Sequence, residues 1–471
     1  MRAALSIREA QTRLRQGSLK ARDLMEAAIV AADRHACELN VFAARADSDG
    51  LLTAADKIDR RLATGEAVGP LAGIPIAIKD VFGTKDLPTT ASSKVLADHH
   101  TGVDAEAVAR LRSSGALVVG KSQTHEFAFG PTTNNEYAGP SRNPWNPDHV
   151  PGGSSGGSAI ALAAGMCMGA TGSDTGGSIR TPSALCGVSG LKPTYGLVSR
   201  RGVLSLAWSL DHAGPMARSV DDLAFLLEAM AGFDARDSGS VDRPVQQYSA
   251  LMNQPAGPLR IGVPQDYFLD LVDVEVHAAF DASLECLQSI GCKVHPVSLP
   301  SMKYALGAEL AILGSEASAY HRDRLKRQAE DYSPNVRREL LAGLTILASD
   351  YLLGQRVRGL ICKDFATAFQ NVDVIATPTV PIVAPLIGAT QVVVNGEATP
   401  ALDAIWRNVF PTNLTGSPTL SLPNGFSKSG LPIGLQLIGR YFDETTLLRL
   451  GRDLQAVTEF HRQAPPMIDS A

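Results

Sequence analysis

Apolar residues recur at helical spacing through the first sixty positions. In LKARDLMEAAIVAADR they fall on one face of a helix, and Ser6 with Glu9 three residues later forms a capping-box pattern. Residues 1–65 are therefore predicted to form a helical layer. From Gly73 the texture changes to the strand-like GIPIAIKDVF, then to a helical DAEAVARLRSSG, then to ALVVG. Strand, helix and strand at that length suit a parallel crossover, so an α/β core follows. No fixed-period repeat and no long polar linker divides the chain, which favours one large domain.

The segment 151–200 breaks the average texture, holding 12 of the 43 glycines and eight serines. Apolar runs such as AIALAAGMCM and ALCGV interleave these residues, whereas a flexible linker would stay polar. Such glycine density marks a backbone shaped for tight turns or close approach. The same apolar run falls short of the roughly 18 residues that a membrane span needs and is broken by glycines.

Composition narrows the classes further. The 471 residues are 45% hydrophobic and 19% charged, with a formal net charge of -5, which gives no basic field for nucleic acid. Six scattered cysteines without a C-x-x-C pair argue against zinc and against a disulfide framework. The N-terminus carries charge from Arg2 and lacks a secretory apolar region, so a cytoplasmic protein without a membrane anchor is expected.

Three short patterns fail on physical grounds. Gly115 to Ser122, GALVVGKS, matches a phosphate-loop expression, but its four intervening residues are a strand rather than a loop of exposed amides. Gly153 to Gly157 matches the G-x-S-x-G elbow that would present Ser155, yet NPWNPDHVPG before it is no strand. Ser189 to Lys192 matches S-x-x-K without its companion motif and reads as a structural loop. The ten histidines form no H-E-x-x-H pair, so a base other than histidine is sought. Lys79 ends the apolar strand IPIAIK, and burial there would lower its pKa toward the range of a proton acceptor.

Taken together, GIPIAIKD, PGGSSGGSAIALAAG and GSDTGGSIRTPSALCGVSGLKPTYGLVS resemble the amidase signature family. The likeness extends through LDHAGPMARSVDDLA and ATPTVP to FPTNLTGSPTLSLPNGF and LPIGLQLIG. It implies a single domain over 1–471, an α/β fold with a mixed, mostly parallel, twisted sheet flanked by helices. Residues 66–220 would form the catalytic core, and 221–471 the rest of the sheet with pocket and lid segments. It also implies a triad of Lys79, a cis-peptide Ser154 and the nucleophile Ser178. The backbone amides of Thr175, Gly176, Gly177 and Ser178 would form the oxyanion hole, with Asp174 and Arg180 supporting that turn. No metal or organic cofactor is expected.

The implied activity is hydrolysis of a small-molecule carboxylic amide through an acyl-enzyme on Ser178, with an apolar or aryl acyl or amine group. Two alternatives stand beside it: the glutaminase component of a tRNA-dependent amidotransferase, and a carbamate, urethane or ester hydrolase. Against the glutaminase, GSEASAYHRDRLKRQ replaces the expected S-N-L-x-R-x-D-G segment, and Trp406 stands where an acidic glutamine contact is expected. Phe127, Phe129, Gly130 and Trp406 are the expected pocket wall. A homodimer is left open.

Overall fold

A computed structural model describes residues 5–469. The capping box at Ser6 is present, with Glu9 N–H donating to Ser6 Oγ and Ser6 N–H to the Glu9 carboxylate. Helices Ile7–Arg15, Ala21–His35 and Ser48–Ala63 make the expected N-terminal layer. Between the last two runs a short strand, β1 (Phe42–Arg45), that the helical pattern did not announce.

Ten further strands complete one sheet: β2 (Pro75–Lys79), β3 (Leu117–Ser122), β4 (Gly169–Asp174), β5 (Ser189–Lys192), β6 (His212–Ala217), β7 (Arg260–Pro264), β8 (Lys293–Val297), β9 (Val374–Pro378), β10 (Thr419–Phe426) and β11 (Pro432–Ile438). Their order across the sheet is β1-β3-β2-β4-β6-β5-β10-β11-β9-β7-β8. The sheet is mixed and flanked by helices, as expected of a single α/β domain. Parallel pairing joins β3, β2 and β4 on one side and β9, β7 and β8 on the other. The other six junctions, across the centre and at the β1 edge, are antiparallel.

The predicted crossover is present, since helix Glu106–Ser113 links the parallel pair β2 and β3. GALVVGKS is largely strand β3, and its Lys121 is buried against Asp80 at 3.0 Å. Ser189 to Lys192 is a correction: the four residues expected in a loop form β5, a fully buried central strand. Pro193 lies just beyond its last residue, where the ladder no longer needs an N–H.

Alternation along β2 sets up the site. Ile76 and Ile78 enter one apolar core and Ala77 the other. Lys79 therefore shares the face of Ala77, the face covered by helix Gly156–Ala163. Among the described residues no helix is long and apolar enough to cross a membrane.

Candidate active site

Lys79 is fully buried at the end of β2. Its Nζ lies 2.7 Å from Ser154 Oγ and 2.9 Å from Ser173 Oγ, and its own N–H donates to Thr171 Oγ1. Burial lowers the amine to about 7, with Asp174 and Asp211 pulling the other way. Near neutral pH a large fraction of Lys79 is thus uncharged and able to accept a proton.

Ser154 precedes helix Gly156–Ala163, and the Gly153–Ser154 peptide bond is cis. Glycine is required just before it, because a Cβ on Gly153 would stand 2.7 Å from the Thr133 amide nitrogen. Ser178 ends the turn that follows β4. The two serine loops are tied by a backbone bond, Ser155 N–H to Ser178 C=O at 3.2 Å. Among the described residues no hydrogen bond joins the Ser154 and Ser178 hydroxyls, so the last link of the expected relay is open in the unliganded chain. Links of this kind commonly tighten only when substrate is bound.

The turn itself is held from inside. Asp174 accepts hydrogen bonds from the Gly177 and Ile179 amides at 2.8 and 3.0 Å. It also takes a forked pair from Arg180, Nε at 3.0 Å and Nη2 at 2.9 Å. The Arg180 and Lys192 charges and the Asn413 amide hold its carboxyl far below the usual range, against the burial that would raise it. Arg180, fully buried, reaches on to Val409 O, Thr412 Oγ1, Asn413 Oδ1 and Gln436 Oε1 at 2.6 to 2.9 Å.

This arrangement corrects one expectation. The Gly177 amide is committed to Asp174, which leaves Thr175, Gly176 and Ser178 as the candidates to face an oxyanion. The glycine at 177 serves conformation instead, with φ at +99° and the Val409 side chain occupying the place of a Cβ. At Gly176 a Cβ would meet the Phe410 ring at 2.5 Å.

The four residues expected in the pocket wall take separate places. Phe127 is buried edge-on against His321, ring centres 4.5 Å apart, and lies 5.4 Å from Tyr332. Gly130 packs on the His125 ring. Burial, with a contribution from Lys79, lowers that ring to about 4, so it is neutral in the working range. Phe129 is buried in the same core cluster. Trp406 is half-buried and stacks on Phe410 at 5.3 Å, which connects it to Gly176 through one ring. None of the four lines the cavity of about 200 Å³ that reaches Ser173 and Thr175; its wall includes Ala128, Leu206, Trp208, Asp211 and His212.

Ser173, Asp211, Phe410 and Asn413 were not singled out from the sequence. For Ser173 a signal existed. Thr171 and Ser173 alternate as polar positions in a buried strand, so both point to the side of β4 that Lys79 approaches.

A mixed α/β sheet that brings a buried lysine, two serines and a glycine turn to one place describes a hydrolase acting on amides. The chain belongs to the amidase family: residues 23–448 match the Amidase family model. It is 41% identical over 484 residues to the A subunit of the glutamyl-tRNA(Gln) amidotransferase of Alkalilimnicola ehrlichii, covering 98% of both chains. Among solved structures, a chain of a vestigial protein complex tied to the origins of an s-triazine catabolic enzyme is 36% identical. The match covers 96% of this chain and 98% of that one at a TM-score of 0.92. A bacterial aryl acylamidase of the amidase signature family is 25% identical, over 97% of each chain, at a TM-score of 0.87.

Proposed function

We propose that this chain cleaves a carboxylic amide to carboxylate and ammonia or amine through an acyl-enzyme on Ser178. Neutral Lys79 draws the proton of Ser154, which takes that of Ser178 as its oxygen attacks the carbonyl carbon. The oxyanion sits against the Thr175, Gly176 and Ser178 amides. Collapse breaks the C–N bond while Ser154 returns the proton to the leaving nitrogen, and water then cleaves the ester by the same relay. The observation that carries this reading is Lys79 Nζ at 2.7 Å from Ser154 Oγ in a site that lowers the amine to about 7.

The amide itself has two readings. Full-length similarity to the amidotransferase chains supports glutamine, with this chain as the ammonia-producing part of a larger assembly, and this has the wider support among the curated relatives. Trp406 favours a solitary amidase for apolar or aryl amides, because a ring stacked on Phe410 stands where an acidic contact to glutamine is expected. Purified chain should be given glutamine, aliphatic amides, anilides and carbamates, and Ser178 probed with a fluorophosphonate. Labelling of Ser178 together with turnover of apolar amides supports the solitary enzyme. Glutamine cleavage that appears only with a co-purified partner supports the amidotransferase reading, and an unlabelled Ser178 with no turnover of any amide removes the mechanism.

The pH dependence follows from Lys79. Its proton must be absent for it to act as base, so kcat is expected to rise about tenfold per unit below pH 7 and level off above it. A profile flat from pH 5 to 9, with chemistry rate-limiting, would exclude Lys79 as the base.

A further inference from the structure

Helix Ala305–Gln328 carries a carboxyl that the mechanism does not use. Glu309 is fully buried, and neither of its oxygens has a hydrogen-bond partner. A buried acceptor left without a partner is costly, so its presence calls for a reason. Among the described residues, Tyr267 and Asn408 hold two of the six further unpartnered buried side-chain oxygens. Asn408 donates to Phe268 O beside Tyr267, and it stands between Trp406 and Phe410 in the chain. Glu309 acts electrostatically on Tyr267 and feels Arg358, Arg180 and Asp174, the last two being the pair that shapes the turn ending in Ser178. Its helix also packs on helix Phe410–Thr415, whose first ring lies against Gly176.

We infer that Glu309 is a specificity-determining residue of the acyl pocket, its carboxyl accepting hydrogen bonds from an N–H or O–H group that the substrate carries beyond the scissile amide. The substrate class is then a short amide with a polar donor at its far end. Pockets with apolar walls and one or two placed polar groups commonly fix orientation in this way. A site built around such an acceptor rejects a hydrocarbon of the same shape, which leaves the buried group unpaired. Burial pushes the Glu309 carboxyl well above its ordinary value, with Arg358 and Arg180 pulling it down. Both protonation states keep an acceptor oxygen, so the role survives either way.

This inference rests on the amide-hydrolase reading, and the test separates the two. Succinamide and 4-methylpentanamide have the same shape, and the far amide of the first is an isopropyl group in the second. Wild type is expected to favour succinamide in kcat/KM by about tenfold or more. Glu309→Leu should erase that preference while still cleaving 4-methylpentanamide, and Glu309→Gln, which keeps an acceptor oxygen, should restore most of it. An unchanged ratio in Glu309→Leu, or an equal loss on both amides, overturns the assignment, since a structural role would act on both alike. Binding of the two amides to Ser178→Ala, with and without Glu309→Leu, is measured in parallel by calorimetry. If wild type cleaves neither amide but Glu309→Leu abolishes tighter succinamide binding, the solitary-amidase reading falls and Glu309 stands. If binding shows no preference either, Glu309 falls.

Discussion

Lys79→Met is expected to lower kcat by about 10⁴-fold or more, the scale on which hydrolases lose activity when a member of a nucleophile and base relay is removed. Methionine fills nearly the same volume, so packing around Ile78 and Thr171 is kept while the proton acceptor is lost. The variant also carries a stability signature. An unfolded lysine holds its proton up to about pH 10.4, whereas folded Lys79 is lowered to about 7. Between those values the unfolded state binds more protons, so wild-type stability rises with pH across the window. The cost of burying the amine is greatest below pH 7 and fades toward pH 10. Urea midpoints measured from pH 6 to 10 should therefore climb for wild type relative to Lys79→Met. Parallel curves for the two proteins would mean that Lys79 titrates alike folded and unfolded.

Arg180→Leu is expected to cost about 3–5 kcal/mol, the range for breaking a buried pair by removing one partner. Asp174 would keep the Gly177 and Ile179 amides and Asn413 but lose the charge opposite it. Val409 O, Thr412 Oγ1 and Gln436 Oε1 would lose their shared donor. Total stabilities of about 5–15 kcal/mol leave little margin for such a loss. A urea midpoint that moves by less than the equivalent of about 1 kcal/mol would show that the network contributes little. Activity should fall too, because the amides of Thr175, Gly176 and Ser178 belong to the turn that this network holds.

The three residues proposed for the chemistry each lie in a segment whose composition has a physical purpose. Lys79 ends an apolar strand, and Ser154 and Ser178 sit among glycines that admit close backbone contacts. Beyond the first parallel crossover, the direction of strand pairing was not legible. An interior strand buried on both faces reads as the same apolar run whether its neighbour is parallel or antiparallel, and β5, interrupted by Gly190 and followed by Pro193, lacks even that run. Nor could composition show that the Gly177 amide is spent on Asp174, because backbone donors are assigned by geometry alone. Glu309 was hidden for a related reason. On a helix its burial depends on what packs over it, and the sequence around it has no spacing that marks a site.

Arg180 joins a turn near residue 178 to groups at 409–436, and β5 pairs with β10 more than two hundred residues further along the chain. A ribosome that has just synthesised Ser178 has produced every member of the Lys79, Ser154 and Ser178 set, yet none of the Arg180 acceptors beyond Asp174. At about 5–20 residues per second the segment through Gln436 emerges roughly 10 to 50 s later. During that interval the glycine turn lacks the contacts that hold it. On the proposed mechanism, activity is therefore expected only once the C-terminal third closes the sheet.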